Sequence, residues 1–151
     1  MSLKDKRVLI TGAGGNIGTL LAAGLAGQCQ SILCTDIRSA DHDCVVQDLS
    51  KDKAWSIFEN KVDVIFHLAA QTSAYRSNES IIADWQVNVK PVIELLDFLK
   101  NKTWRPAIVF SSTATVLGLT NKGLASTNPK EVPLTIYDIH KLTVEKYLKY
   151  Y

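Results

Sequence analysis

Between Val8 and Gly18 the chain reads VLITGAGGNIG, and few folds can accommodate that stretch. Val8-Leu9-Ile10 is the short apolar run of a buried strand. Gly12, Gly14, Gly15 and Gly18 then place four glycines in seven residues, and Ile17, Leu20, Leu21 and Leu25 follow at helical spacing. Strand, glycine turn and helix together form the opening unit of a dinucleotide-binding sheet. Glycine permits unusual backbone angles at the turn and lets a diphosphate approach the main chain. The helix start then presents free N–H groups and the positive end of its dipole to that anion. The spacing is G-x-x-G-x-x-G over Gly12, Gly15 and Gly18, with Ile17 where G-x-G-x-x-G would need its last glycine. No Lys-Ser or Lys-Thr pair follows, which excludes the phosphate loop of ATP and GTP enzymes.

The remainder alternates strand-like apolar runs with helical patterns, and the expectation is an α/β fold with a parallel sheet. Strands are expected at Ser31 to Thr35, Cys44 to Gln47, Val62 to Leu68 and Ala107 to Ser111. Ile82, Trp85, Val89, Ile93, Leu96 and Leu99 predict one long helix kinked by Pro91, and a last helix runs from Tyr137. Gly118 to Pro133 is polar and reads as an excursion near a site. All 151 residues, 46% of them hydrophobic, suit one domain. The net charge of +2 is carried by scattered Lys and Arg, which gives no basis for a nucleic-acid partner. The apolar runs are too short to cross a bilayer, and no secretory pattern opens the sequence, so a cytoplasmic location is expected. Cys29, Cys34 and Cys44 form no C-x-x-C pair and read as small hydrophobes in a reducing compartment. His42, His67 and His140 form no metal-binding cluster, so no metal is expected.

Asp36 ends the second strand 18 residues past Gly18. A carboxylate there would accept hydrogen bonds from both adenosine ribose hydroxyls and repel a 2′-phosphate, which favours NAD over NADP. Arg38 pulls the other way, since a guanidinium can pair with a phosphate. Tyr137 and Lys141 are four apart on the last helix and share a face. A phenol is a poor base at neutral pH, and a neighbouring ammonium would stabilise the phenolate and lower its pKa. Ser111, Ser112, Thr113 and Thr115 follow the fifth strand, where a hydroxyl could bond the substrate oxygen. The absence of a G-x-S-x-G elbow argues against a hydrolase.

With these motifs in register, the chain resembles the extended short-chain dehydrogenases, in particular the NAD-dependent sugar-nucleotide epimerases and dehydratases. Thr11 to Gly18 is similar to the family's TGxxGxxG loop, and Asp36 to its ribose-binding acid. Asp48-Leu49 resembles the pair that meets the adenine, His67-Leu68-Ala69-Ala70 the HxAA segment under the cofactor, and Asn88-Val89 the NV helix. Ser112 to Gly118 resembles S-[ST]-x-x-V-Y-G, which puts the catalytic hydroxyl on Thr113 and makes Tyr137 the base with Lys141 its partner. The resemblance implies a Rossmann-type doubly wound parallel sheet. It further implies cofactor contacts from Gly12, Gly15, Asn16, Ile17, Gly18, Asp36, Ile37, Arg38, Asp48, Leu49, Leu68, Ala69, Ala70, Asn88, Ser111, Tyr137 and Lys141.

There are departures from the family pattern. Leu117 replaces a Tyr, Pro91 a Gly, and His140 stands where Ser is commoner. The dehydratases carry an Asp-Glu pair after the catalytic Thr; Ala114 and Thr115 occupy those places, which disfavours elimination and brings the chain closer to the UDP-glucose 4-epimerases. Family members are about twice this long, so the sheet is expected to be truncated at about five strands and to lack the C-terminal substrate domain. The expected function is the cofactor-binding and catalytic half of an NAD-dependent sugar-nucleotide epimerase-like oxidoreductase, inactive as a 151-residue chain. The alternatives are a non-enzymatic dinucleotide-binding module and an inactive fragment. The resemblance also implies a nucleotide-sugar substrate for the full-length form and a homodimer through the helices at 78–100 and 137–151.

Overall fold

Five short apolar stretches pair into one parallel sheet in this computed structural model, which describes residues 2–38, 44–118 and 131–151. The strands are β1 (Arg7–Thr11), β2 (Ser31–Asp36), β3 (Cys44–Val46), β4 (Val64–His67) and β5 (Ala107–Phe110), in the order β3-β2-β1-β4-β5. Each pair is parallel, with Leu9 opposite Leu33 on one side and Ile65 on the other. β1 is central and its side chains alternate between two cores, as the twofold strand period requires. Val8 and Ile10 pack with Ala13, Ala22, Cys34 and Val64 on one face. Leu9 packs with Leu49, Trp55, Phe58, Ile65, Leu95 and Leu99 on the other. The Rossmann-type reading of the sequence is what the structure contains, with the strand order reversing between β1 and β4. That reversal is where such sheets leave a crevice beyond their carboxyl ends.

The helices are α1 (Asn16–Leu25), α2 (Ala74–Glu79), α3 (Ile81–Asn88), α4 (Lys90–Lys100) and α5 (Ile136–Tyr150). The chain divides into two compact units, residues 1–70 with 94–111 and residues 71–93 with 112–151. The first holds the sheet and α1; the second holds α2, α3 and α5.

Several expectations are corrected. The inward face of α1 keeps only part of Ile17-Leu20-Leu21-Leu25: Leu21 and Leu25 pack half-buried against the core, whereas Ile17 and Leu20 are 66% and 75% exposed and Gly18 and Ala22 are buried. The cause is the closeness of the turn, because a Cβ on Gly18 would stand 2.2 Å from Gly12 O. Small residues therefore face inward. The single helix at 78–100 is α3 and α4, parted at Val89, with α2 before them. Ser73 and Ser80 explain the breaks, since their hydroxyls accept from Arg76 N and Ala83 N and cap α2 and α3. Pro91 does not kink a helix; it lies in the first turn of α4, where a missing N–H removes no helical bond. β3 and β4 are shorter than the expected runs, ending at Val46 and His67. Of the polar excursion, residues 119–130 lie outside the described residues, while Val132 N donates to Val116 O at 2.9 Å. Cys34 is buried, whereas Cys29 and Cys44 are only half-buried.

Candidate functional site

The glycine turn is built in the first unit by a crossing of main chains. Gly12 has φ +69°, and a Cβ there would lie 2.7 Å from Ala69 N. Thr11, fully buried at the end of β1, fastens that crossing. Its hydroxyl bonds His67 Nδ1 at 2.9 Å and accepts from Leu68 N and Ala69 N, both at 3.2 Å. His67 is therefore a structural partner of the turn, and Leu68 and Ala69 pack towards opposite faces of the sheet.

Gly15 differs from Gly12 and Gly18. It caps α1 with ordinary extended angles, and a Cβ there would meet only Gly12 O, at 3.2 Å. That contact is tight, but it asks Gly12 O to give by far less than a Cβ on Gly18 would. No described side chain caps α1, and no acidic residue sits in its first turn. Main-chain amides without a countering acid suit an anion, so the residues present fit the diphosphate of a dinucleotide. Asn16, Ile17 and Gly18 supply the first turn.

Asp36 ends β2 and is mostly buried. Its Oδ2 accepts from Gly14 N at 3.0 Å and its Oδ1 from Arg38 N at 3.1 Å. A carboxylate has about four lone-pair sites, so the ribose hydroxyls can still be received. Ile37 is 64% exposed beside it. Asp48 bonds the hydroxyl and amide of Ser50, and the hydroxyl holds its carboxyl below the usual range against the effect of burial. The Leu49 side chain belongs to the core cluster, so its main chain is what remains for an adenine. Ser111 donates its hydroxyl to His67 O at 3.3 Å.

In the second unit, α2, α3 and α5 bring together the titratable side chains Tyr137, Lys141, Asp84 and Asp138. Tyr137 N donates to the buried Ser77 hydroxyl at 3.1 Å, which fixes the start of α5. Lys141 is 1% exposed, and its Nζ lies 5.6 Å from the Tyr137 ring centroid. The helical spacing thus places the two side chains as expected, but the charge logic differs from the expectation. Burial pushes the Tyr137 phenol above its ordinary value, and the Asp84 and Asp138 carboxylates push it further. Burial also pulls the Lys141 ammonium down to about 8, against the pull of Asp84. The chain by itself thus favours a neutral phenol, not the phenolate anticipated from Lys141 alone.

Thr113 caps a 3₁₀ turn at Ala114–Leu117. Its Oγ1 accepts from Thr115 N at 3.3 Å and lies 2.7 Å from Thr115 Oγ1. Thr115 donates its own proton to Asp138 Oδ1. Asp138 also accepts from Leu134 N at 3.2 Å and Thr135 N at 3.0 Å. Burial would raise this carboxyl, yet the hydrogen bonds from Thr115 and Thr135 hold it below its usual value. An ionised Asp138 cannot donate, so the proton order is Thr113 to Thr115 to Asp138. In this arrangement the Thr113 proton goes to Thr115, and one Thr113 lone pair is left over.

Asn88 is buried and ties α3 to the loop after β4: its Oδ1 accepts from Gln71 N at 3.1 Å and its Nδ2 donates to Gln71 O at 3.0 Å. Asp84, Gln71, Ser77 and Asp138 were missed as site residues from the sequence. The available signals were a polar i, i+4 pair at 84 and 88 on the buried face of a helix, and a Thr-x-x-Asp capping box at Thr135–Asp138. Among the described residues no group of three or more His, Cys, Asp or Glu is placed to hold a metal, and no helix is long and apolar enough to cross a membrane.

Residues 8–151 match the NAD dependent epimerase/dehydratase family. The chain belongs to that family. An uncharacterized epimerase/dehydratase of Staphylococcus haemolyticus is 28% identical over 97% of this chain and 49% of its own length. The UDP-N-acetylglucosamine 4-epimerase of Methanobrevibacter ruminantium superposes with a TM-score of 0.83 at 26% identity, over 97% of this chain and 50% of that one. A short-chain dehydrogenase/reductase superfamily protein of Agrobacterium tumefaciens with bound NAD gives 0.81 at 25%, over 95% and 44%. This member of the epimerase/dehydratase family thus spans about half the length of the curated relatives it matches.

Proposed function

We propose that the chain binds NAD and carries the acid–base residues of a nucleotide-sugar epimerase-like oxidoreductase. The observation that carries the reading is the glycine turn, with uncapped amides at the start of α1 and Asp36 closed onto Gly14. The main chain of Gly12 and of Gly15 to Gly18 would hold the diphosphate. Asp36 would take the adenosine ribose, flanked by Ile37 and Arg38, and Asp48-Leu49 would meet the adenine. By the family resemblance, Leu68, Ala69, Ala70, Asn88, Ser111, Tyr137 and Lys141 are the further residues expected to contact the cofactor. Bound NAD supplies a hydride acceptor.

Tyr137, once ionised, removes the proton of a sugar hydroxyl. The Thr113 hydroxyl, turned from Thr115 towards the sugar, donates a hydrogen bond to the oxygen that loses its proton to Tyr137, and Lys141 stabilises the Tyr137 anion. The phenol is held protonated in the chain alone, so added positive charge must act before Tyr137 can serve as a base. Ala114 and Thr115 offer no acid–base pair for elimination, which supports epimerisation over dehydration. The relatives' length supports a longer protein whose further residues hold the nucleotide sugar, with this chain alone binding NAD without turnover. We take its location to be cytoplasmic. A second copy is the expected partner, and exposed Ile82, Trp85, Ile139 and Tyr147 on α3 and α5 support that assembly.

Calorimetry with NAD and NADP on this chain tests the first half of the reading. Tighter binding of NAD is expected, and no binding of either would overturn it. The second half is tested in a longer form. UDP-sugar interconversion that is lost in Tyr137→Phe is expected, and unchanged turnover in that variant rejects the role of Tyr137. The raised Tyr137 pKa also favours a second reading, a dinucleotide-binding module without catalysis. It predicts NAD binding with no sugar interconverted by any longer form.

A further inference from the structure

Asp84 lies with Asn88 on the buried face of α3, where a carboxylate is costly, and it is 2% exposed. Three N–H donors hold it in place. Gln71 Nε2 at 2.8 Å and Asn88 Nδ2 at 2.9 Å reach Oδ1, while His140 Nδ1 reaches Oδ2 at 2.6 Å. Gln71 is itself fixed, because its Nε2 also donates to Ser73 O at 2.9 Å and its main chain is bonded at both groups by Asn88. A carboxylate held by donors from α3, α5 and the loop at Gln71 cannot turn away from its surroundings. Lys141 follows His140 on α5 and is as buried as Asp84. An ammonium taken that far from water needs an opposite charge near it.

We propose that Asp84 is the fixed counter-charge of the Tyr137–Lys141 couple, and that His140 is the positioning residue that aims it. This deepens the functional reading above and rests on it for the role of the couple. Among the described residues, Asp84 from α3 acts on both members of the couple and Asp138 from α5 acts on Tyr137. Arg76 and Glu79 of α2 are exposed. Asp84 favours the ammonium of Lys141 and disfavours the phenolate of Tyr137, so it keeps both groups protonated until another positive charge arrives. His140, standing where the resembled family more often has Ser, reaches Asp84 through its ring. The His–Asp pair is thus a feature of this chain's own sequence.

The test is a pair of NMR titrations on the 151-residue chain, with ¹³Cε-labelled lysine and ¹³Cζ-labelled tyrosine. Lys141→Arg and Tyr137→Phe assign the two resonances. In Asp84→Asn, which keeps the shape and removes the charge, Lys141 is expected to titrate about one pH unit lower or more, and Tyr137 also lower. A merely structural Asp84 gives a different pattern: loosened packing lets water in, and Lys141 climbs back towards 10.5. A rise, or no change, in Lys141 overturns the proposal. If Asp84→Asn does not fold, the His140 variants decide. His140→Gln, which keeps an N–H donor, is expected to hold Lys141 at its wild-type value, whereas His140→Ala shifts it in the direction given for Asp84→Asn. Equal titrations in the Gln and Ala variants remove His140 from the positioning role. No turnover is measured, so failure here leaves the NAD and sugar chemistry to be judged by Tyr137→Phe in the longer form.

Discussion

The main-chain N–H of Gly14 donates to Asp36 Oδ2 at 3.0 Å, which ties the end of β2 to the glycine turn before any ligand is present. The carboxylate that would read the ribose is thus also a clamp on the loop that would hold the diphosphate. Asp36→Ala should act on both. A hydrogen bond to a charged group contributes about 1.5–3 kcal/mol, so calorimetry should show NAD binding weakened about tenfold or more. NADP, no longer facing a carboxylate, should lose less or gain. Equal losses for both nucleotides would mean that Asp36 only shapes the loop.

Gly15 and Gly18 should separate ligand binding from folding. A Cβ on Gly18 would press to 2.2 Å from Gly12 O, whereas one on Gly15 comes no closer than 3.2 Å. Gly18→Ala should therefore lower stability in urea by about 2 kcal/mol or more, as overpacked sites do. Gly15→Ala should lower the unfolding midpoint clearly less than Gly18→Ala while weakening NAD at least tenfold. Equal destabilisation by the two substitutions would refute the distinction.

Lys141 should impose a recognisable pH dependence on stability. Its folded pKa of about 8 lies below the ordinary value of 10.5, so between those limits the unfolded chain binds the extra proton. Stability then rises with pH across that window, as the penalty of burying the ammonium is relieved. Tyr137 has the opposite sign: its pKa is raised in the fold, so its contribution is present below pH 10.0 and is lost above it. Urea titrations at pH 7 to 10 should show a rising stability that is flat in Lys141→Met. A falling curve in the native chain over pH 8 to 10 would contradict the depressed value.

The sheet and the turn were legible because their signals are local. The unbroken apolar run Val8-Leu9-Ile10 and the glycines at Gly12 and Gly18 each have a steric cause within a few residues or across one strand. The single helix read over Ile82 to Leu99 failed because Ser80 and Val89 interrupt the backbone without interrupting the apolar period. α2 was missed because Ala74–Glu79 carries one buried residue, Ser77, and no apolar stripe. In the site, Tyr137 and Lys141 were found from their spacing, but their charge states were not. Those depend on burial and on Asp84, more than 50 residues away in sequence and brought to α5 by the bond to His140. Spacing along one helix carries no information about a carboxylate delivered by another.

The proton order from Thr113 through Thr115 to Asp138 gives the last prediction. Asp138 is held below its ordinary pKa of 3.8 by hydrogen bonds from Thr115 and Thr135, against burial. A carboxyl depressed in the fold contributes stability that is present above its unfolded pKa and lost as pH falls through its folded one. Thr115→Val keeps the shape of the side chain and removes one donor, so it should destabilise the chain by about 1 kcal/mol at pH 7, a figure reduced for partial exposure. Below pH 3 the difference from the native chain should shrink as Asp138 becomes protonated in both, and ¹³Cγ-aspartate NMR should show Asp138 titrating higher in the variant. Thr135→Ala removes the other hydroxyl and the α5 cap, so its loss of about 1 kcal/mol should persist in part at low pH, where the helix still lacks its cap. If Thr115→Val keeps its full deficit at pH 2.5, the hydroxyl acts by packing, and the donor direction assigned to Thr113 has no support.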